Sequence, residues 1–350
     1  MEGFVHPEFL VETDWLAQHL RDVVPDGARD IVVPDGARDI VVPDGARDIV
    51  VPDGAPDIVV PDGARDIVVP DGAPDSVVPD GTQDIVVLDC TTHLIPDPKI
   101  TYTVKPGRED FENGHIPGAQ FCDVSRDVSD TSQRLNFMRP TPEHFAAAMR
   151  RFGIDNSTRV ITYSTANPWW ATRVWWLLRE FGHDNAAVLN GGWQKWLREN
   201  RPVETGPAAA RPASDFVVRE VRNLMVGKDK VKAAVGDAGI CTLNALLPAQ
   251  HAGQGGNSYG RSGRIAGSVN VPAAHLLDPA TNTFLPANEL RQRLGAVGAL
   301  DRPVITYCGG GIAASADALI LTMLGHTDVK IYDASLSEWA KDETLPMETG

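Results

Sequence analysis

At 350 residues and 43% hydrophobic content, the chain has the length for two or three domains at roughly 100–200 residues each and enough apolar material for their cores. No apolar run approaches the roughly 18–20 residues that span a bilayer, and the N-terminus, MEGFVHPEFLVETDWL, lacks the basic-then-apolar pattern of a secretory signal, so a cytoplasmic protein is expected. A net charge of −15 argues against nucleic acid or an anionic membrane as the main partner.

The first feature along the chain is a repeat. From Pro25 to Val87 the nonapeptide PDGARDIVV recurs in seven copies, with small changes such as Arg replaced by Pro at Pro56 and Pro74. These residues hold 14 Asp and 4 Arg, a net of −10, leaving −5 of the total −15 for the rest of the chain. Each copy joins a Pro-Asp-Gly turn signal to a β-favouring Ile-Val-Val. A stacked β-solenoid is one reading, and a calcium-binding nonapeptide helix is another, although such helices are richer in glycine. The preferred reading is a recent tandem expansion forming a loosely ordered insertion. The last copy runs into Asp84-Ile-Val-Val-Leu-Asp89, which has the pattern of a buried strand.

Beyond the repeat, short β-rich runs alternate with helical patterns. Strands are expected at Ile85–Leu88, Val160–Tyr163 and Ala187–Leu189, and helices at Glu143–Phe152 and Ala171–Phe181. A Pro/Ala-rich linker follows at 206–215, then a helical stretch at Lys228–Val235 and a strand at Ile240–Asn244. Such alternation implies a parallel sheet covered on both faces.

The chain also matches itself. Gly114-His-Ile-Pro-Gly-Ala119 recurs as Gly263-Arg-Ile-Ala-Gly-Ser268, and Val160-Ile-Thr-Tyr-Ser164 as Val304-Ile-Thr-Tyr-Cys308. Phe181-Gly-His183 and Leu324-Gly-His326 are each followed seven residues later by a polar residue, Asn190 and Asp333. Each half reaches a Trp (Trp196, Trp339) and closes on Glu-Thr-Gly at 204–206 and 348–350. This is a duplicated domain, and removing six repeat copies would make the halves nearly equal.

Four cysteines (Cys90, Cys122, Cys241, Cys308) show no CxxC pair and no Cys/His cluster at zinc spacing, so neither a disulfide framework nor a metal site is expected. Cys308 stands apart. It follows an apolar strand and precedes Gly309-Gly310-Gly311-Ile312-Ala313-Ala314 and a helical run over 316–324. Strand, glycine turn and helix place a thiol at the carboxyl end of a parallel strand, where α/β sheets form binding crevices. The glycines let several N–H groups converge, and the helix N-terminus adds partial positive charge. Both stabilise a thiolate, and a persulfide anion once sulfur is loaded. A plain buried hydrophobe is the alternative, yet it does not account for three consecutive glycines. A cysteine phosphatase needs Cys-x5-Arg, and the sixth residue after Cys308 is Ala314. The matching position in the first half is Ser164, followed by Thr-Ala-Asn-Pro-Trp, a poor nucleophile without an evident base.

Through GHIPGA at 114–119, FGH…LNGGWQKW at 181–196, YCGGGIAAS at 307–315 and YDASLSEW at 332–339, the sequence resembles the tandem-domain rhodanese family, which includes thiosulfate and 3-mercaptopyruvate sulfurtransferases. The resemblance implies an α/β protein of two rhodanese-like domains, each a parallel sheet with helices on both faces, plus the inserted nonapeptide segment. The expected division is a catalytically silent N-terminal domain at 1–205 carrying the insertion at 25–87, a linker at 206–215 and a catalytic C-terminal domain at 216–350. The implied chemistry moves a sulfane sulfur from thiosulfate or 3-mercaptopyruvate onto Cys308, held in the 309–314 cradle. A thiol or cyanide then accepts it, without a metal or organic cofactor. The family's Asp-Ala-Arg at the strand end appears here as Asn244-Ala245-Leu246, so its donor-binding Arg is missing. Arg261 and Arg264 are the nearest substitutes by sequence, and His115 is a further candidate for the cleft, with surface arginines and a turn-capping histidine as the structural alternatives. The missing Arg also keeps open a persulfide relay that exchanges sulfur with a protein partner. A scaffold role for the acidic repeat is the third reading. Deleting residues 25–78, six whole copies, is expected to leave the melting temperature and the sulfurtransferase rate unchanged; a loss of either would give the repeat a role.

Overall fold

A computed structural model describes residues 2–23, 49–50, 67–68, 84–97, 101–165, 167–254 and 259–350. The chain divides into two compact units, Met1–Ala17 with Asp84–Gly350, and Gln18–Gln83. Within the second unit, Ile49–Val50 and Ile67–Val68 pair in parallel with Ile49 opposite Ile67, a separation of two repeat lengths. The expectation of a loosely ordered insertion otherwise falls outside the described residues.

The larger unit contains two five-stranded sheets of identical design. In the first, β1 (Leu10–Val11), β2 (Ile85–Asp89), β3 (Gln120–Phe121), β4 (Arg159–Tyr163) and β5 (Ala186–Leu189) lie in the order β1-β5-β4-β2-β3. In the second, β6 (Met225–Val226), β7 (Cys241–Asn244), β8 (Val269–Asn270), β9 (Val304–Tyr307) and β10 (Val329–Tyr332) repeat that order as β6-β10-β9-β7-β8. Every pairing in both sheets is parallel. The duplication read from the motifs is therefore a duplication of topology. The last nonapeptide does become a strand: β2 is buried along its length and pairs with β4 from Ile85↔Arg159 to Asp89↔Tyr163. Continuous apolar runs such as Ile-Val-Val-Leu and Val-Ile-Thr-Tyr suit strands covered on both faces.

Helices at Pro142–Arg151, Trp169–Glu180, Lys228–Ala234 and Ala314–Met323 fall within two residues of the positions expected from the sequence. Pro142 opens the first of these after Thr141, whose hydroxyl accepts from the His144 N–H. The Trp169–Glu180 and Ala314–Met323 helices occupy equivalent places in the two halves and pack on each other. At their contact the Thr172 and Ser315 hydroxyls, equivalent residues, hydrogen-bond at 2.6 Å. One apolar core runs through both halves, including Val174 and Trp175 from the first and Leu319 and Ile320 from the second. Charged groups add to the join. The buried Glu180 carboxylate pairs with Arg139 and accepts from the Leu224 N–H at 2.6 Å, beside β6.

One buried group works against stability. Asp317, within the fully buried Ala314–Met323 helix, is 0% exposed, and neither carboxyl oxygen has a hydrogen-bond partner among the described residues. Burial pushes its carboxyl well above the usual carboxylate range. A folded-state value above the unfolded one gives stability that is fully present below the unfolded value and is lost as pH rises through the folded one. Asp317→Asn removes this titration. In urea unfolding the variant is expected to gain on the wild type between pH 4 and pH 8; a difference that stays constant with pH would refute the account.

Candidate active site

Strand β9 ends at Tyr307, and Cys308 follows it, 3% exposed and one of four free cysteines. The other three are also buried. Contact with Cys90, followed by burial, raises the Cys122 thiol well above its ordinary range, and burial raises that of Cys241. These two are therefore held as neutral thiols.

The loop after Cys308 is fastened from outside. The Cys308 carbonyl accepts from the Leu336 N–H at 3.1 Å, and the Gly309 carbonyl accepts from the Ser337 N–H and Oγ, each at 2.8 Å. The Cys308 N–H donates to Ser335 Oγ at 3.1 Å, while that hydroxyl donates to the Tyr332 carbonyl at 2.8 Å. Ser335 takes φ +51, a left-handed conformation costly for a side-chain-bearing residue; the equivalent residue of the first half, Gly192, has φ +52. Strain is accepted there because the hydroxyl holds the thiol's own backbone.

The glycines answer to contacts. Gly311 has φ +75, and a methyl group there would run into the Asp333 carbonyl; one on Gly309 would run into the Tyr259 ring. Among the described residues, none accepts a hydrogen bond from the N–H groups of Gly309, Gly310, Gly311, Ile312 or Ala313. The helix from Ala314 has no side-chain cap; among the described residues the Ala314 N–H has no acceptor, while the Ser315 and Ala316 N–H groups donate to the Ile312 and Ala313 carbonyls, each at 3.0 Å. The loop that follows Cys308 thus carries several amide donors without acceptors among the described residues, a kind of backbone that suits an anion.

Two tyrosines from opposite halves wall the thiol. Tyr102 belongs to an antiparallel hairpin, Thr92–Pro96 with Tyr102–Pro106, and its hydroxyl lies 3.7 Å from the space beside Gly310. Tyr259 lies over Gly309. Burial raises both phenols, with nearby Cys308 adding to each, so they remain protonated donors at neutral pH. Beneath the loop, the Tyr307 hydroxyl accepts from Asn244 Nδ2 at 2.8 Å and shares a hydrogen bond with the Ser268 hydroxyl at 2.7 Å, and burial pushes its phenol up to about 12.

The other sequence candidates lie elsewhere. Arg261 donates to the carbonyls of Trp339, Ala340 and Asp342, the last at 2.6 Å. Arg264 donates to the His251 and Gly350 carbonyls and pairs with Glu348 at 3.6 Å. His115 stacks on Phe111 at 3.8 Å, bonds its carbonyl through Nδ1 at 2.8 Å and faces Glu204 in the first half. Among the described residues, no hydrogen bond or ion pair joins these three to the 308–314 loop. Tyr102, Tyr259 and Ser335 were not singled out from the sequence, where nothing marks a distant tyrosine as a neighbour of a thiol. Arg173 was readable in principle: it is the lone charge in Trp169-Trp-Ala-Thr-Arg-Val-Trp-Trp-Leu-Leu178.

A family model described as the rhodanese-like domain matches residues 82–199 and 252–342, one segment on each sheet. The chain belongs to the rhodanese family. It is 34% identical over 264 residues to the mitochondrial thiosulfate/3-mercaptopyruvate sulfurtransferase 1 of Arabidopsis thaliana, covering 69% of each chain. It is 32% identical over 256 residues to a sulfur carrier protein of Thermus thermophilus, covering 69% of this chain and 87% of that one. The crystal structure of the Escherichia coli 3-mercaptopyruvate sulfurtransferase SseA superposes with a TM-score of 0.63 at 29% identity, covering 72% of this chain and 92% of that one. These relatives make this rhodanese a sulfurtransferase. No helix among the described residues is long and apolar enough to cross a membrane.

Gly311→Ala is expected to cost about 1–3 kcal/mol of stability through its positive φ, and to lower sulfur-transfer rate at least tenfold by displacing the loop amides. Equilibrium unfolding and steady-state rates check both, and wild-type values would show that the loop tolerates a side chain there.

Proposed function

We propose that this rhodanese moves a sulfane sulfur from thiosulfate or 3-mercaptopyruvate to a thiol or cyanide through a persulfide on Cys308. The C-terminal domain, 216–350, carries the reaction; the N-terminal domain, 1–205, is catalytically silent, with Ser164 where the other half has Cys308, and 206–215 links them. The observation that supports this most is the thiol just beyond β9, followed directly by amide donors from Gly309 to Ala313 that lack acceptors among the described residues.

The Cys308 thiolate attacks the outer sulfur of the donor. A sulfur–sulfur bond forms while the donor's bond to that sulfur breaks, its electron pair leaving with sulfite or with the enolate of pyruvate, which then takes a proton. The negative charge passes to the outer sulfur of the persulfide, where the loop amides, the helix N-terminus and the two neutral tyrosines stabilise it. An acceptor thiolate or cyanide attacks that outer sulfur and restores the Cys308 thiolate. No cofactor enters any step. Four cysteines without a disulfide suit a reducing cytoplasm, and the acidic surface does not suit nucleic acid or an anionic membrane.

A second reading, a relay that exchanges sulfur with a protein, is favoured by one observation: Arg261 and Arg264 spend their guanidinium groups on the chain's own carbonyls, leaving a neutral loop for an anionic donor. One mass measurement divides the two readings. After incubation with thiosulfate or 3-mercaptopyruvate, intact wild-type protein is expected to gain one sulfur that cyanide or a thiol removes, and Cys308→Ser to gain none. No gain with either donor would leave the protein-fed relay as the working description.

A further inference from the structure

Arg173 lies in the N-terminal half, on the Trp169–Glu180 helix, and is 0% exposed. Its guanidinium gathers three segments. Nη1 donates to the Gly311 carbonyl at 3.4 Å, and Nη2 donates to the Phe137 carbonyl and to Asp333 Oδ1, the last at 2.7 Å. Asp333 in turn accepts the Arg139 N–H through Oδ2 at 2.7 Å. The Asp333 backbone is also what a Gly311 side chain would strike.

A trans peptide fixes its C=O and the following N–H in opposite directions. Three carbonyls of the thiol loop are anchored outward: Cys308 by Leu336, Gly309 by Ser337 and Gly311 by Arg173. The amides that follow them, those of Gly309, Gly310 and Ile312, are therefore turned away from the anchors, and among the described residues they bond to nothing. Two of these anchors come from the C-terminal half. The third comes from the half that lacks Cys308.

We propose that Arg173 is a positioning residue for the Cys308 loop: it holds the Gly311 carbonyl outward so that the Ile312 amide faces the reacting sulfur. The N-terminal domain thereby completes the anion cradle of its partner. A buried Arg suits the task, since its planar fork serves several acceptors at once and Asp333 balances its charge. This inference rests on the Cys308 reading but has a readout that needs no sulfur donor.

The test compares wild type with Arg173→Met and Arg173→Lys, each checked for folding by circular dichroism and melting. In folded Arg173→Met, kcat is expected to fall about 10–100-fold, with KM for the sulfur donor within about twofold. Alkylation of Cys308 by iodoacetamide, followed on its peptide by mass spectrometry, is expected to need higher pH than in wild type. Arg173→Lys keeps the charge opposite Asp333 and is expected to shift in the same direction by less. It stands in if the Met variant does not fold. A folded variant with wild-type kcat and an unchanged alkylation profile would overturn the proposal. Failure of wild type to take up sulfur would instead defeat the Cys308 persulfide, and the alkylation comparison would still read the loop.

Discussion

The contact on which everything else hangs is between two equivalent helices, Trp169–Glu180 and Ala314–Met323, each following the strand end of its own half. Both are buried along almost their whole length, so neither is an amphipathic surface helix. Each half alone would leave such a helix exposed, and burying one against the other makes a single core from two copies of one domain. The Thr172–Ser315 hydrogen bond lies where the copies meet. Because each helix begins just after the loop at the carboxyl end of a central strand, that packing also bears on how Ser164 and Cys308 are presented. Identity of fold and difference of chemistry follow from one arrangement.

The second half concentrates its polar effort on the loop. Ser335, Ser337 and Leu336 grip it from one side, Tyr102 and Tyr259 close over it, and Asn244, Ser268 and Tyr307 brace the strand end beneath. The first half keeps a related frame, in which Tyr163 accepts from the Ile116 N–H at 3.3 Å near Asp89, yet its loop ends with Ser164 donating to the Asn167 carbonyl. A hydroxyl spent on its own backbone is poorly placed to attack anything. Loss of the glycines and loss of the thiol thus go together.

Much of the fold could be read from the residues because its signals are local. Continuous apolar runs mark doubly covered strands, glycine turns mark their ends, and the matched motifs give the duplication, down to the strand β2 hidden in the last nonapeptide. Short edge strands such as Leu10–Val11 and Gln120–Phe121 carry no pattern of their own and exist only through their neighbours. Within the candidate site, Cys308 and its glycines were legible because the chemistry demands them side by side in sequence. The side chains that surround them were not. Tyr102 comes from a hairpin some two hundred residues away, and Arg261 and Arg264, the nearest cations by sequence, turn to carbonyls that only the folded chain brings within reach.

Strand β2 also has six rivals. Every nonapeptide copy carries Val-Val, preceded by Ile in all but the sixth, where Ser76 stands, so a folding chain holds seven similar claimants for the place between β4 and β3 in the first sheet. They differ in the residue that comes next. In β2 that residue is Leu88, which stands between Thr162 on one side and Gln120 on the other; in each earlier copy it is a proline. A proline there offers no N–H and cannot sit between two strands. The same residue that lets the repeat multiply without harm therefore acts as a proofreader of register. Of the seven copies, the last alone runs on into leucine, and it is the one paired between β4 and β3.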